Sequence, residues 1–455
     1  MEYTRLKDII KDEERIIFGN EIDKKYLTDG LELDYGEADV LIQVENAQEI
    51  IEIIKFANEN SIQVTPRGAG TGLTGATIPI KKGIILDVSK MDKILELNEE
   101  TLNITIEPGV LLKDLQAYVE EKGLFYPPDP GEKSSTIGGN ISTNAGGMRA
   151  VKYGVTRDYV RELEIISGNG EILTVGSKTI KNSSGLDIKD LIIGSEGTLA
   201  IIAKATLKLI PKPKNTVNIL ISFDKLEDGI NSVSKIIKSN ANPTSIEFME
   251  RNIVENSEKF LNLKLPSTLG NAYLILTFDG EETEIISNYT KAKEAALSSG
   301  ALEFKVLNEN EAVDTWKIRG ALASSVMEFN EQMPIDIVLP INKTLEFVEF
   351  TNKCGEKHGL QVIYFGHAGD GNIHVSIIRN GMEKAEWKKK SHDLSEELYK
   401  KSYELKGLPS GEHGIGLMKK EFYKKVTGII ELDYMKNIKK IFDCNNILNI
   451  GKIFT

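Results

Sequence analysis

With 455 residues, 40% of them hydrophobic and 27% charged, the chain has enough apolar material for more than one sizeable core. Its net charge of −12 argues against a nucleic-acid backbone as partner, because such binders cluster Lys and Arg. No apolar run approaches the ~18 residues that span a bilayer. The start, Met1-Glu2-Tyr3-Thr4-Arg5, lacks the basic flank and apolar stretch of a signal peptide. Cys354 and Cys444 lie far apart without metal-like spacing, so two buried thiols in a reducing cytoplasm are expected.

Residues 46–60 carry apolar side chains at helical spacing and predict an amphipathic helix. A short strand at 62–65 leads into Pro66-Arg67-Gly68-Ala69-Gly70-Thr71-Gly72-Leu73-Thr74-Gly75, a long glycine-rich loop. Strands are expected at 83–88, 103–106 and 162–167, a helix at 111–122, and a second low-bulk stretch over 134–147. The prolines of Pro211-Lys212-Pro213-Lys214 mark a boundary, giving domains over 1–213 and 214–455. Beyond it, strands at 216–223, 272–278 and 304–307 alternate with helices near 229–239 and 283–298. That order suggests βαβ-type layers with helices on one face. The last third predicts a strand at 335–339, a helix ending at His358, a hairpin around 369–372 and further helices. The class is α+β.

Gly70-Thr71-Gly72-Leu73-Thr74-Gly75 satisfies G-x-G-x-x-G, but that fingerprint binds a pyrophosphate only where a helix follows. Here Ala76-Thr77-Ile78-Pro79-Ile80 and a strand follow instead, so a Rossmann turn is not expected. Successive backbone N–H groups in such a turn can still form a concave nest for anionic oxygens. Gly138-Gly139-Asn140-Ile141-Ser142-Thr143-Asn144-Ala145-Gly146-Gly147 offers a second unobstructed backbone with small polar donors. Two such loops could cradle the two ends of an extended dinucleotide; the bland reading is two tight structural turns.

These two stretches, with Pro127-Pro128-Asp129-Pro130-Gly131, Lys152-Tyr153-Gly154-Val155-Thr156-Arg157-Asp158 and Gly194-Ser195-Glu196-Gly197-Thr198-Leu199, resemble the FAD domain of the vanillyl-alcohol-oxidase-type (PCMH-type) FAD-linked oxidases. Within that superfamily the chain is similar to D-lactate dehydrogenases, D-2-hydroxyglutarate dehydrogenases and the glycolate oxidase flavin subunit. The resemblance implies a two-lobed FAD-binding domain followed by an α+β, ferredoxin-like substrate cap. It implies FAD contacts from Pro66, Arg67, Gly68, Ala69, Gly70, Thr71, Gly72 and Leu73 at the diphosphate. Further contacts are implied from Pro130, Gly131, Gly138, Gly139, Asn140, Thr143, Asn144, Gly146, Gly147, Tyr153, Gly154, Glu196 and Gly197. Asn449, in an Asn449-Ile450-Gly451-Lys452 tail similar to the family's closing Asn-Pro-Gly-Lys, would return to the flavin. Some relatives tether flavin to a His or Cys of the FAD domain. No His precedes His358 and no Cys precedes Cys354, so non-covalent FAD is expected.

Three of the five histidines lie in two compact motifs, His367-Ala368-Gly369-Asp370-Gly371-Asn372-Ile373-His374 and Gly411-Glu412-His413-Gly414. A hairpin centred on Asp370-Gly371 would pair 367 with 374 and set two imidazoles face to face, close enough to share a divalent metal. Glu412 would add an oxygen ligand. The bland reading is a hydrogen-bonded histidine pair beside an unrelated loop. The resemblance implies the metal, as Fe, Zn or Mn on His367, His374 and Glu412. It implies His413 as the base that takes the substrate hydroxyl proton. It also makes Arg319, in Trp316-Lys317-Ile318-Arg319, the group that holds the substrate carboxylate, for which a planar guanidinium is suited. His358 and His392, in polar helical contexts, are expected to be solvent-exposed.

Hydroxyglutarate-oxidising relatives carry a hydroxyl residue and a lysine for a second carboxylate where this chain has Ala323 and Pro334. A short D-2-hydroxy acid, D-lactate above all, is therefore the expected substrate. The stretch 334–343 resembles lactate dehydrogenases that pass electrons to an electron-transfer flavoprotein, the expected partner. Glycolate or D-2-hydroxyglutarate oxidation, or a non-catalytic flavin subunit that only relays electrons, are the alternatives.

Overall fold

The computed structural model describes residues 3–455, which form two compact units interleaved in sequence. The first holds the chain as far as Ala145, then Val155–Lys212 and Glu412–Thr455; the second holds Gly146–Gly154 and Pro213–Gly411. The second unit takes nine residues, Gly146–Gly154, from the middle of the first segment, and the last 44 residues, part of the tail expected to return, pack with the first unit. No helix among the described residues is long and apolar enough to cross a membrane.

In the first unit one sheet runs Ile16–Phe18, Val40–Gln43, Ile84–Asp87, Val64–Arg67, the last three strands parallel. The helix Ala47–Asn60 packs on it because its apolar positions fall three or four apart. Asn46 starts that helix by accepting the Glu49 N–H at 3.0 Å. Ile50, Ile53, Ile54 and Ala57 meet Val40, Ile42, Ile84 and Leu86, all 0% exposed, in a core that also takes in Ile447 and Leu448 of the C-terminal segment. Burying each aliphatic side chain contributes roughly 1.5–3 kcal/mol. A second, antiparallel sheet runs Ile94–Asn98, Asn103–Ile106, Ala200–Lys208, Val160–Ser167, Ile172–Gly176. The glycine-rich loop joins the parallel neighbours Val64–Arg67 and Ile84–Asp87 with no intervening helix, so the Rossmann context is absent. The expected loop over 134–147 is instead largely a short helix, Ile137–Thr143, started by Thr136, whose Oγ1 accepts the Gly139 N–H. The capping threonine overrides two successive glycines.

The second unit is built on a seven-stranded sheet in which every recorded pairing is antiparallel. Its order is Ala301–Val306, Asn215–Phe223, Ala272–Gly280, Ser245–Glu250, Gln361–His367, Asn372–Ile378, Gln332–Val338. The first four strands have the ferredoxin-like order. The helices are not confined to one face as the strand–helix alternation suggested. Arg251–Leu261, Glu309–Gly320 and Leu322–Phe329 pack against Leu220, Met249, Tyr273, Ile275 and Phe365. Side chains alternate along a strand, so Phe223 and Val362 point the other way, where they meet Gly229 of Leu226–Lys238 and Gly355 of Thr344–His358. The cysteine expectation is half corrected: Cys354 is buried and Cys444 exposed.

Candidate active site

One face of the second unit's sheet gathers the polar chemistry. The hairpin closes on a four-residue loop, 368–371, with Gly371 at φ +82. The register is therefore two residues off the expected one: His367 lies opposite Asn372, and His374 opposite Phe365. Left-handed backbone at Gly371, rather than at Asp370-Gly371 together, turns the chain one step earlier. His367 and His374 still share a face, because Asn372 and His374 are two residues apart on one strand. As diagonal neighbours their ring centroids are 5.2 Å apart at 87°, and one ring nitrogen of each lies within 4.8 Å of the other.

Two buried carboxylates flank this pair. Glu247 is the direct cross-strand partner of His367, and Asp336 that of His374; both are 0% exposed. The His367 Nδ1 lies 2.8 Å from Glu247 Oε1, and Glu247 Oε2 accepts from Arg319 Nε at 2.9 Å and Nη2 at 2.6 Å. Burial pushes the Glu247 carboxyl up, but His367 and Arg319 outweigh it and hold it below its ordinary value. Asp336 accepts from Asn372 Nδ2 at 2.7 Å, Ser410 Oγ at 2.9 Å and the Gly411 N–H at 3.1 Å, fixing the chain one peptide bond before Glu412.

Arg319 sits at the end of Glu309–Gly320, a helix started by the reciprocal Asn308–Glu311 capping pair, and its guanidinium lies 5.1 Å from the Phe365 ring. Two of its nitrogens are committed to Glu247, and Nη1 makes no hydrogen bond to the described residues. Sequence reading missed Glu247 because it missed the strand Ser245–Glu250. The available signal was Ser-Ile-Glu-Phe-Met-Glu, a period-2 run whose central glutamate points inward. His358 is half-buried on Glu397, at 2.9 Å, rather than solvent-exposed; His392 is exposed.

The first unit holds most of the dinucleotide-binding candidates. Among the described residues, none of the backbone N–H groups from Gly68 through Thr74 donates to an acceptor, whereas the next one, Gly75, donates to Asp29 Oδ2 at 2.7 Å. Ala69 of this loop borders a cavity of about 340 Å³, whose other lining residues are Ser89, Asp92, Ile94, Gly109, Val110, Leu111, Asp114 and Thr136. Successive unpaired N–H groups beside a cavity suit a diphosphate, so these residues fit FAD.

Several residues expected to touch the cofactor have other work. Arg67 is buried under its own loop, donating to Thr28 O at 2.7 Å and Lys25 O at 2.6 Å; a Cβ on Gly70 would collide with its guanidinium. These contacts brace the loop's shape from beneath. Asn144 caps a turn by accepting the Arg157 N–H, and the Gly138 N–H goes to Pro108 O. Gly197, at φ +70, lies against Pro66. Gly146, Gly147, Tyr153 and Gly154 belong to the second unit, where Tyr153 OH and Lys152 Nζ both donate to Asp279. Pro130, Gly131, Asn140 and Thr143 remain in the first unit without a cofactor-specific feature of their own.

Glu196 accepts the N–H groups of Ile415 and Gly416 at 2.7 and 2.8 Å, and Thr74 Oγ1 donates to His413 O at 3.2 Å. Its carboxylate thus anchors the segment that carries Glu412 and His413, whose Oε1 and Nε2 are 3.8 Å apart. Asn449 Nδ2 donates to Ala76 O and Glu196 O, and Lys452 Nζ to Gly75 O and Ile78 O, so the tail clasps the far end of the glycine loop. Burial pushes the Lys452 amine down to about 8. The first unit contains His413 and Cys444, so the lack of earlier histidines and cysteines does not by itself exclude a covalent flavin link.

Residues 212–453 match the family of FAD linked oxidases, C-terminal domain, and residues 38–176 the FAD binding domain family. The chain belongs to the FAD-linked oxidases. It is an FAD-dependent oxidoreductase, as the five ordered motifs implied. The D-lactate dehydrogenase of Anaerostipes hadrus is 41% identical over 428 residues, 92% of this chain and 90% of that protein. The glycolate oxidase subunit GlcD of Bacillus subtilis is 36% identical, over 84% of this chain and 82% of that one. Among solved structures, p-cresol methylhydroxylase shares the fold at a TM-score of 0.79 and 14% identity, covering 100% of this chain and 96% of that one.

Proposed function

We propose that this FAD-linked oxidase is a metal-dependent dehydrogenase of short D-2-hydroxy acids, with D-lactate, oxidised to pyruvate, as its substrate. The observation that carries the reading is the buried row in which Glu247 holds both an imidazole of the His367–His374 pair and the guanidinium of Arg319. The D-lactate dehydrogenase relative at 41% identity supports the same substrate class.

FAD supplies the acceptor for the C2 hydride, and a divalent Fe, Zn or Mn ion held by His367, His374 and Glu412 supplies Lewis acidity at the substrate hydroxyl. His367 suits that role because its Nδ1 is engaged by Glu247, which leaves Nε2 as the ligand atom. Arg319 meets the substrate carboxylate through Nη1, the nitrogen that Glu247 does not engage. His413 takes the hydroxyl proton as general base. Ala323 packs into the apolar core, and Pro334 lies within the edge strand Gln332–Val338 rather than before it. Neither offers a cation to a second carboxylate, which favours a monocarboxylate. FAD is bound non-covalently, and electrons pass to an electron-transfer flavoprotein or a similar carrier in the cytoplasm.

Anaerobic mixing with D-lactate, L-lactate, glycolate and D-2-hydroxyglutarate, with flavin bleaching as readout, tests the proposal. D-lactate should bleach fastest. Equal rates with D-2-hydroxyglutarate would show that another cation serves the distal carboxylate. No bleaching by any acid would favour an electron-relay subunit.

A further inference from the structure

We infer that Glu247 is a positioning residue that sets the spacing between the metal-binding histidines and the arginine that meets the substrate carboxylate. This inference rests on the proposed metal site. The strand Ser245–Glu250 delivers Glu247 directly opposite His367, with its side chain 0% exposed. Both carboxylate oxygens are used, Oε1 by His367 Nδ1 and Oε2 by Arg319 Nε and Nη2.

With Oε2 accepting from Arg319, Oε1 faces His367 Nδ1 at 2.8 Å, which makes Nε2 the other, metal-facing nitrogen of the proposed ligand ring. The same bond fixes the ring's rotation. On the other side Glu247 takes the Nε/Nη2 edge of the guanidinium, whose carbon lies 5.1 Å over the Phe365 ring, so the direction of Nη1 is set as well. One rigid carboxylate therefore determines how far Nη1 stands from the His367 ligand atom. A 2-hydroxy acid carries its carboxylate and hydroxyl on adjacent carbons and requires one such distance. Asp336 does not duplicate this role: its oxygens hold Asn372, Ser410 and Gly411, on the His374 side.

Glutamine at 247 keeps the volume but presents an N–H₂ to at least one of two donors, so one of the two contacts is lost. The test uses FAD-loaded protein stripped of divalent ions with a chelator and titrated calorimetrically with Zn²⁺. The variants are Glu247→Gln, Glu247→Asp and the double variant E247Q/R319M, which leaves no unpaired buried cation. Wild type should bind one equivalent. Glu247→Gln should bind about 10–100-fold more weakly, the usual effect of removing a ligand's hydrogen-bond partner, with FAD content unchanged. E247Q/R319M should stay weak, because the His367 ring has still lost its partner. Glu247→Asp should also bind more weakly, since its shorter side chain cannot reach both partners. Wild-type Zn²⁺ affinity in the double variant would show that Glu247 is only a counterion for Arg319 and would overturn the inference. Unchanged affinity in Glu247→Gln would overturn it too while leaving the metal site standing. A wild-type chain that binds no Zn²⁺, Mn²⁺ or Fe²⁺ would remove the metal site and this inference together.

Discussion

Glu196→Gln isolates a single pH-dependent contribution to stability. The Glu196 carboxyl is buried, and burial pushes its pKa from 4.5 up to about 7 despite the N–H groups of Ile415 and Gly416 that favour its charged form. The unfolded chain releases this proton near 4.5 and the folded chain near 7. Between those values the folded state holds more protons, so stability falls as pH rises. The interval, 7 − 4.5 = 2.5, corresponds to about 3 kcal/mol at roughly 1.4 kcal/mol for each pH unit. Glutamine is neutral throughout and escapes this loss. The stability of Glu196→Gln relative to wild type should therefore climb by about 2–3 kcal/mol from pH 5 to pH 8. A constant offset, for an amide N–H₂ set against one backbone N–H, adds equally at both pH values. Burial also pushes Glu250 up to about 7, but that group is shared by both chains and cancels in the difference. Urea unfolding followed by circular dichroism at the two pH values measures the quantity. A difference that is flat with pH would refute the burial-driven shift, and a falling one would reverse its sign.

Three further outcomes follow from named contacts. Gly70→Ala should lower FAD affinity and cost upwards of about 1 kcal/mol in stability, because φ is +75 there and a Cβ meets the Arg67 guanidinium; flavin fluorescence titration and a melting curve would show both. His374→Ala should lose divalent-metal content by elemental analysis while retaining FAD, since His374 lies in the second unit and the glycine loop in the first. Retained metal would return the histidine pair to a packing role. His413→Asn should slow flavin reduction by D-lactate by about 10²–10⁴ while leaving metal content intact. Metal loss in that variant, with retention in Glu412→Gln, would exchange the ligand and base assignments.

What the sequence by itself determined is local. Apolar spacing placed the helix Ala47–Asn60, alternation placed Asn103–Ile106, and a proline after the glycine loop ruled out a Rossmann turn, because each signal concerns residues that are neighbours in the chain. Five ordered motifs were enough to reach the FAD-linked oxidases. The cap's ferredoxin-like order was also expected, although its helices cover both faces. Tertiary structure alone decided which groups share a proton or a charge. Glu247 reaches Arg319 and His367 across 72 and 120 residues, and no pattern within one segment encodes a pairing over such separations. The hairpin register depended on where one glycine adopts positive φ, which shifted the histidines from directly opposed to diagonal. The resemblance put Arg67 at the FAD diphosphate; only the folded chain shows its guanidinium donating to the carbonyls of Lys25 and Thr28. The physical reason is the same in each case. Hydrogen-bond capacity is a property of a side chain, but its use depends on which other buried groups the fold brings within 3 Å.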